Sequence, residues 1–355
     1  MQNPCYTTSK AVNIFLFSEN MPSKLKTDLK NNKQFPNSFL DCEGKPATMN
    51  NSINPLVSIV TLNYDHPEVT CALLASLRLI TYREIEIIVI DNASPKEDPT
   101  IIHDRFPEII FMQNDQNQGF AGGNNQGIRR ARGKYILLLN NDTEVDAGFL
   151  EPLVAKLEAN ANLGAVSPKI KFFDRPDTIQ FTGQSSINRY TMRNHGFGWG
   201  LKDTGQFESD ASTAYVHGAA TLVPIEVIRK VGLMPDIYFL YYEELDWCTR
   251  MKHAGYELEY VHNSTVYHKV SLSVGKNSIL KTFHMNKSRL LYLRRNIHGT
   301  AFLIACLYLL FVSIPKNLMV FLMRNQMDHC KAYCRAIAWH TRNLHLKNLY
   351  MNPTL

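Results

Sequence analysis

Glu243, Glu244 and Asp246 place three carboxylates within four positions of the run Tyr241-Tyr242-Glu243-Glu244-Leu245-Asp246-Trp247. Well upstream stands a second acidic site, Asn140-Asn141-Asp142. Two separated acidic sites suit a reaction that holds a metal ion at one and removes a proton at the other. The upstream site follows Tyr135-Ile136-Leu137-Leu138-Leu139, an apolar run of strand length, so Asp142 is expected where that strand ends. The triplet lies between an apolar lead-in, Ile237 to Leu240, and a helical pattern over 244–254 that stops at Gly255, a common C-terminal glycine. Carboxylates at the ends of parallel strands open into one crevice, where open α/β sheets bind ligands. The competing explanation is an acidic cluster favoured at a helix N-terminus by the macrodipole. It accounts for the place of the triplet but not for its coincidence with Asp142.

The elements needed to hold these groups are legible nearby. Leu56 to Leu62, Ile85 to Ile90, Ile109 to Met112 and Tyr135 to Leu139 read as strands, with helices over 66–80 and 121–132. Strand and helix in alternation predict an α/β fold with a mostly parallel central sheet covered on both faces. Over 150–236 the pattern predicts a helix, a short strand around 164–169, and an aromatic, glycine-rich insertion over 181–207. An apolar run at 216–223 and a short helix at 224–231 complete this part.

The chain has 355 residues, 45% of them hydrophobic, and a formal net charge of +6, which fits a folded core with appendages. Residues 1–54 are rich in Asn, Ser, Thr and Lys and predict a weakly ordered extension, with Val12 to Phe17 able to add a strand or a partner contact. That apolar run is too short, and lacks the basic lead, for a secretory signal. Seven cysteines without CxxC pairing argue against a disulfide framework or a zinc site and favour a reducing compartment. Residues 281–355 form a basic, apolar helical region in which eleven Lys and Arg face one acid, Asp328. Its apolar block, Ala301 to Ile314, is shorter than the roughly 20 residues of a straight span and is interrupted at Pro315. An interfacial or re-entrant helix pair or one kinked span is therefore expected, and the alternative is a helix buried in a homodimer interface. The embedded apolar block favours an anionic membrane surface over nucleic acid as partner.

Taken in order, Val57-Ser58-Ile59-Val60-Thr61-Leu62-Asn63-Tyr64, Val89-Ile90-Asp91-Asn92-Ala93-Ser94, Asn117 to Gly127, Asn140-Asn141-Asp142 and Tyr242-Glu243-Glu244-Leu245-Asp246 resemble the inverting family 2 glycosyltransferases, and among these the rhamnosyltransferase-type branch. The resemblance covers roughly 55–298. It implies a GT-A nucleotide-binding sandwich with a donor half at 55–149 and an acceptor half at 150–280, and C-terminal membrane-associated helices. It further implies transfer of a sugar, with inversion, from a dTDP- or UDP-sugar donor to a glycan or lipid-linked acceptor.

By the same resemblance Asn63, Tyr64 and Asp91 line the nucleotide pocket. Gly119, Gly122, Gly123 and Asn124 bring backbone close to the donor. Asn141 and Asp142 meet the diphosphate, where Asp142 and His268 hold a divalent cation, Mg2+ or Mn2+. Asn140 stands where the general pattern has a first Asp. Glu244, one methylene longer than the usual Asp, takes the place of the general base, and Glu243 orients the acceptor or the loop. Asp246 and Arg250 are spaced for an i,i+4 structural pair. Trp199 and His195 in the aromatic insertion could stack on a sugar or pack internally. The expected enzyme is a hexosyltransferase at the cytoplasmic membrane face, attached peripherally or by shallow insertion. Two other classes stay open, a nucleotidyltransferase and a catalytically silent membrane-bound scaffold of the same fold.

Overall fold

The computed structural model describes residues 54–269, 278–346 and 349–355. The extension expected over 1–54, with its Val12 to Phe17 run, falls outside the described residues apart from Asn54. In chain order the elements of the first half are β1 (Val57–Asn63), α1 (Pro67–Leu77), β2 (Ile85–Asp91), α2 (Thr100–Arg105), β3 (Ile110–Gln113), α3 (Gly119–Arg130), β4 (Tyr135–Leu139) and β5 (Thr143–Val145). The second half continues with α4 (Leu150–Ala159), β6 (Leu163–Phe172), β7 (Arg175–Phe181), β8 (Ala211–Ser212), β9 (Ala220–Pro224), α5 (Ile225–Val231), α6 (Glu243–His253) and β10 (Glu257–His268). Four helices close the chain: α7 (Ile279–Asn296), α8 (Gly299–Tyr308), α9 (Ile314–Met323) and α10 (Met327–Arg342).

One ten-stranded sheet runs β3-β2-β1-β4-β9-β6-β10-β5, with β7 and β8 paired at its side. The first four strands are parallel. The runs of β1 and β4, at the centre of these four, are buried on both faces, as covered parallel strands must be. Beyond β4 the sheet is mixed, because β9 enters antiparallel between β4 and β6. That insertion is what lays the residues just before β9 beside the end of β4: the Asn140 N–H donates to Ala219 O at 2.9 Å. The strand expected around 164–169 is the first part of the longer β6, while β7 and β8 flank the insertion expected over 181–207.

The glycine run after β3 forms the start of α3 rather than a loop. A Cβ on Gly123 would lie 2.4 Å from Leu62 Cδ1, and one on Gly127 would lie 2.4 Å from Val60 Cγ1. These glycines let α3 press onto β1 and β2. Gly122 faces its own first turn, 2.8 Å from Gln118 Cβ. Close approach is thus required at all three positions, but to the protein's own core.

Of the two helical forms expected at the C-terminus, the structure has the single helix. α8 and α9 are joined by a π-helical turn at Leu309–Ser313, so Gly299 to Met323 is one continuous apolar helix of 25 residues rather than an interrupted pair. Pro315 has no N–H for the carbonyl four residues back, and the wider turn just before it accommodates that loss without ending the helix. At about 1.5 Å per residue the helix is about 37 Å long, enough to cross the ~30 Å hydrocarbon layer. Ala301, Ala305, Leu309 and Ser313 recur every fourth residue and are buried against the domain. The opposite face is bare, with Leu303 61%, Phe311 69% and Met323 78% exposed. Residues 54–355 form one compact unit, in which α10 packs along α7. The five described cysteines, at 71, 248, 306, 330 and 334, are free thiols.

Candidate active site

Three loops leave the carboxyl ends of the parallel strands β1, β2 and β4, and side-chain hydrogen bonds tie them together. Asn141 Nδ2 donates to Thr70 Oγ1 at 3.0 Å, and that hydroxyl donates to Asn63 Oδ1 at 2.8 Å. Asn63 Nδ2 in turn donates to Asp91 Oδ1 at 2.8 Å, where the Ser94 hydroxyl also donates at 2.5 Å. Asp91 is buried and its other oxygen accepts from the Ser94 N–H at 3.1 Å. Asn63, Asp91 and Asn141 therefore build the crevice from within, while Tyr64 is half-buried at its wall. Thr70 was not legible as part of this relay: it is one polar residue in a helix otherwise read for its apolar face.

Asp142 and His268 meet at the β5–β10 edge. They lie on chains that run together, with Thr143 in register with His268 and the Lys269 N–H donating to Asp142 O at 2.8 Å. Both side chains are buried, and His268 Nε2 stands 3.0 Å from Asp142 Oδ1. The distance is that of an ion pair, but the alignment is not that of a hydrogen bond, and Nε2 has no hydrogen-bond partner. His268 Nδ1 lies 3.0 Å from Gln180 Oε1. Because that oxygen only accepts, Nδ1 is the donor to it, and in the neutral ring this puts the lone pair on Nε2. In that tautomer the carboxylate oxygen and Nε2 offer their lone pairs to a common cation. Carboxylate plus imidazole, with the far ring nitrogen fixed by an amide, is a donor set suited to a divalent metal. Among the described residues no cluster of three or more His, Cys, Asp or Glu forms a fuller ligand set, so phosphate and water oxygens would supply the remaining ligands.

The acidic triplet divides by environment. The apolar lead-in begins in a 3-10 turn at Asp236–Tyr238 and continues as a sharply folded loop. Phe239, Tyr241 and Tyr242 all have positive φ, a conformation costing non-glycine residues of order 1–3 kcal/mol each and concentrated at functional loops. Gly119 makes that loop possible. Its φ is +70°, a Cβ there would fall 2.2 Å from Phe239 O, and the Phe120 N–H donates to the same oxygen at 2.7 Å. Asn92 holds Gly119 from the other side, Nδ2 donating to its carbonyl at 3.1 Å. The donor-side loop and the acidic loop are thus clamped together. Asn124, by contrast, is buried and donates within its own helix to Phe120 O at 2.9 Å.

Asp246 is a structural hub. Its carboxylate accepts from Tyr238 Oη at 2.8 Å, Arg295 Nε at 2.8 Å and Asn296 Nδ2 at 2.9 Å, and Arg250 Nε lies 3.4 Å away. The expected pair with Arg250 is present, but the dominant partner, Arg295, comes from α7. Glu243 is buried with Oε2 unpartnered, and burial together with the neighbouring Glu244 pushes its carboxyl well above the usual carboxylate range. Burial raises Glu244 to about 7.

The segment before β9 joins the two acidic sites. The His217 ring lies 6.1 Å from the His268 ring, and Gly218 is the next residue. A Cβ on Gly218 would sit 3.9 Å from Glu244 Oε1. The Asp142–His268 pair and Glu244 therefore flank the same short piece of chain, as metal site and base must if they act on one bond. Residues 57–230 match the family model for glycosyl transferase family 2. The chain carries a family 2 glycosyltransferase domain.

Among curated relatives, this glycosyltransferase is 24% identical over 221 residues to a low-salt glycan biosynthesis hexosyltransferase of Haloferax volcanii, covering 59% of this chain and 68% of the relative. It is 22% identical over 242 residues to an N-acetylglucosaminyl-diphospho-decaprenol L-rhamnosyltransferase of Mycobacterium tuberculosis, covering 62% and 78%. In solved structures it matches a Pyrobaculum calidifontis mannosyltransferase in complex with GDP-Man and Mn2+, with a TM-score of 0.50, 15% identity, and coverage of 82% and 76%. The fold is GT-A. The glycosyltransferase also has a cavity of about 380 Å³ between α3 and α5, lined by Ile128, Arg132, Ile225 and Leu355. It lies at the amino-terminal end of β4, the opposite edge from Asn140. Trp199 is exposed with one edge against Phe172, 6.2 Å between centroids, and His195 packs on Phe197 and Ser185.

Proposed function

We propose that this family 2 glycosyltransferase moves a hexose, with inversion, from a nucleoside-diphosphate sugar to a lipid-linked or polysaccharide acceptor at the cytoplasmic membrane face. The rhamnosyltransferase relative makes rhamnose from dTDP-rhamnose the first donor to test. The observation that carries this is the convergence of Asp142–His268 and Glu244 on His217-Gly218. The nucleotide occupies the crevice at the ends of β1 and β2, against Tyr64 and the loop framed by Asn63 and Asp91. Asp142 and His268 hold a divalent cation, which when bound neutralises charge on the departing diphosphate. Glu244 accepts the proton of the acceptor hydroxyl as that oxygen bonds to the anomeric carbon and the carbon–oxygen bond to the nucleoside diphosphate breaks. Glu243 stays protonated and holds the strained loop rather than taking a proton. The bare apolar face of the Gly299–Met323 helix, flanked by the basic residues of α7 and α10, supports membrane attachment.

Thermal unfolding with dTDP, UDP and GDP, each with and without Mn2+, tests the donor site, because a ligand that binds only the native state raises its apparent stability. A Mn2+-dependent rise with dTDP or UDP is expected. No rise with any nucleotide favours the silent scaffold. Inorganic diphosphate release from a nucleoside triphosphate and a sugar phosphate would mark a nucleotidyltransferase instead.

The pH profile should report Glu244. With its carboxyl at about 7, the base form is lost below that value, so kcat/KM falls about tenfold per pH unit under pH 7 and levels off above it. The same shift has the opposite sign for stability. A carboxyl raised from 4.5 to about 7 binds its proton more tightly when folded, so stability declines as the pH rises across that interval. Glu244→Gln should flatten the stability change, which is readable without any substrate.

A further inference from the structure

α7 is applied directly to the acidic loop. The His284 ring stacks on Phe239 at 5.1 Å, Ser288 Oγ donates to Leu240 O at 2.8 Å, and the Tyr292 ring lies 5.8 Å from Tyr242. Arg289 sits between the last two contacts on the helix, and Tyr242 lies within electrostatic reach of both Arg289 and Glu244. Its guanidinium is under-used. Nε is buried with no partner, the one side-chain bond is from Nη2 to Asn286 Oδ1 at 3.2 Å, and among the described residues no carboxylate pairs with it. The other arginine of α7 that reaches the acidic helix, Arg295, is matched to Asp246. A buried guanidinium N–H without an acceptor is costly and is retained where a ligand supplies the acceptor.

We propose that Arg289 binds a phosphoryl group of the acceptor's diphosphate. This rests on the proposed glycosyl transfer and adds to it the chemical class of the acceptor, a sugar carried on a lipid diphosphate. A guanidinium fork fits phosphate oxygens with paired N–H donors. The donor's own diphosphate is provided for at Asp142 and His268, on the far side of His217-Gly218. Arg289 instead stands near Tyr242, two residues before Glu244, and the helix that carries it leads within three residues into the bare apolar face of Gly299–Met323. A lipid diphosphate would lay its chain on that face, its phosphates at Arg289 and its sugar hydroxyl at Glu244.

The probes are farnesyl diphosphate, farnesol, and dTDP or UDP with Mn2+, with binding measured on the full chain in detergent for the wild type, Arg289→Gln and Arg289→Lys. The wild type is expected to bind farnesyl diphosphate more tightly than farnesol. Arg289→Gln should lose at least tenfold of the diphosphate affinity and Arg289→Lys less, with nucleotide affinity unchanged in both. The retained nucleotide binding also shows that the variants fold. Equal farnesyl diphosphate affinity in wild type and Arg289→Gln, or no wild-type preference over farnesol, overturns the proposal. A parallel loss of nucleotide affinity moves Arg289 to the donor and overturns it as well. Failure of glycosyl transfer itself shows separately, as wild-type protein that binds farnesyl diphosphate but no nucleotide.

Discussion

Glu244→Gln should reduce sugar transfer by about 100- to 10,000-fold, the range over which a positioned general base contributes, while Mn2+-dependent nucleotide binding persists. The carboxyl is matched to the task, since burial brings it to about 7, where it is half ionised near neutral pH and still basic enough to take a hydroxyl proton. Gln keeps the size and hydrogen-bonding shape and removes only the proton-accepting charge. Its neighbour supplies the control. Glu243 is held protonated by burial and by Glu244, so Glu243→Gln replaces one neutral group by another and should leave turnover within a few-fold. Single-turnover transfer with both variants separates the two carboxylates, and full turnover by Glu244→Gln would remove it from the role of base.

The second large effect is expected from Asp142→Asn. The substitution leaves His268 as the only basic ligand of the pair and removes the negative charge that opposes the cation. Mn2+-dependent nucleotide affinity should fall, and turnover should drop by about 100- to 1000-fold, as when one preorganised electrostatic partner of a developing charge is lost. Gln180→Ala should give a smaller loss, about 10- to 100-fold in metal affinity, because Gln180 only fixes the tautomer and angle of His268. Metal affinity measured by Mn2+ titration of nucleotide binding orders the three proteins. Unchanged Mn2+ dependence in Asp142→Asn would sink the metal assignment.

Much of the donor half could be read from the chain because its determinants are local. Strands β1, β2 and β4 are continuous apolar runs ending in polar loops, and the parallel arrangement follows from their alternation with helices. Glycines were the exception. Gly119, Gly122 and Gly123 are expected to bring backbone close to the donor, yet Gly123, like Gly127, also serves the contact of α3 with Leu62 and Val60, side chains far away in sequence. Gly119 has a similar remote partner, the carbonyl of Phe239. A glycine's need for space is set by what lies opposite, which sequence spacing does not encode. Pro315 left two readings open for a related reason: its missing N–H is a local fact, but whether the helix stops or widens into a π turn depended on the stripe of Ala301, Ala305, Leu309 and Ser313 packing on the domain.

The sequence by itself determined the chemistry available to this protein. It carries two acidic sites, a histidine after a strand, an α/β alternation that puts loops at one sheet edge, and a basic, apolar C-terminus. Residue types and short-range periodicity carry that information, because strand and helix patterns repeat over a few residues. Which carboxylate does what was decided only by the tertiary structure. Asp246 looks like its two neighbours in sequence but is bound by Tyr238, Arg295 and Asn296, whereas Glu244 is left against Gly218 with its carboxyl raised by burial. A carboxylate's role depends on desolvation and on the partners brought to it, and here those partners come from β9, β10 and α7, elements that meet only when the sheet is closed by its antiparallel insertion.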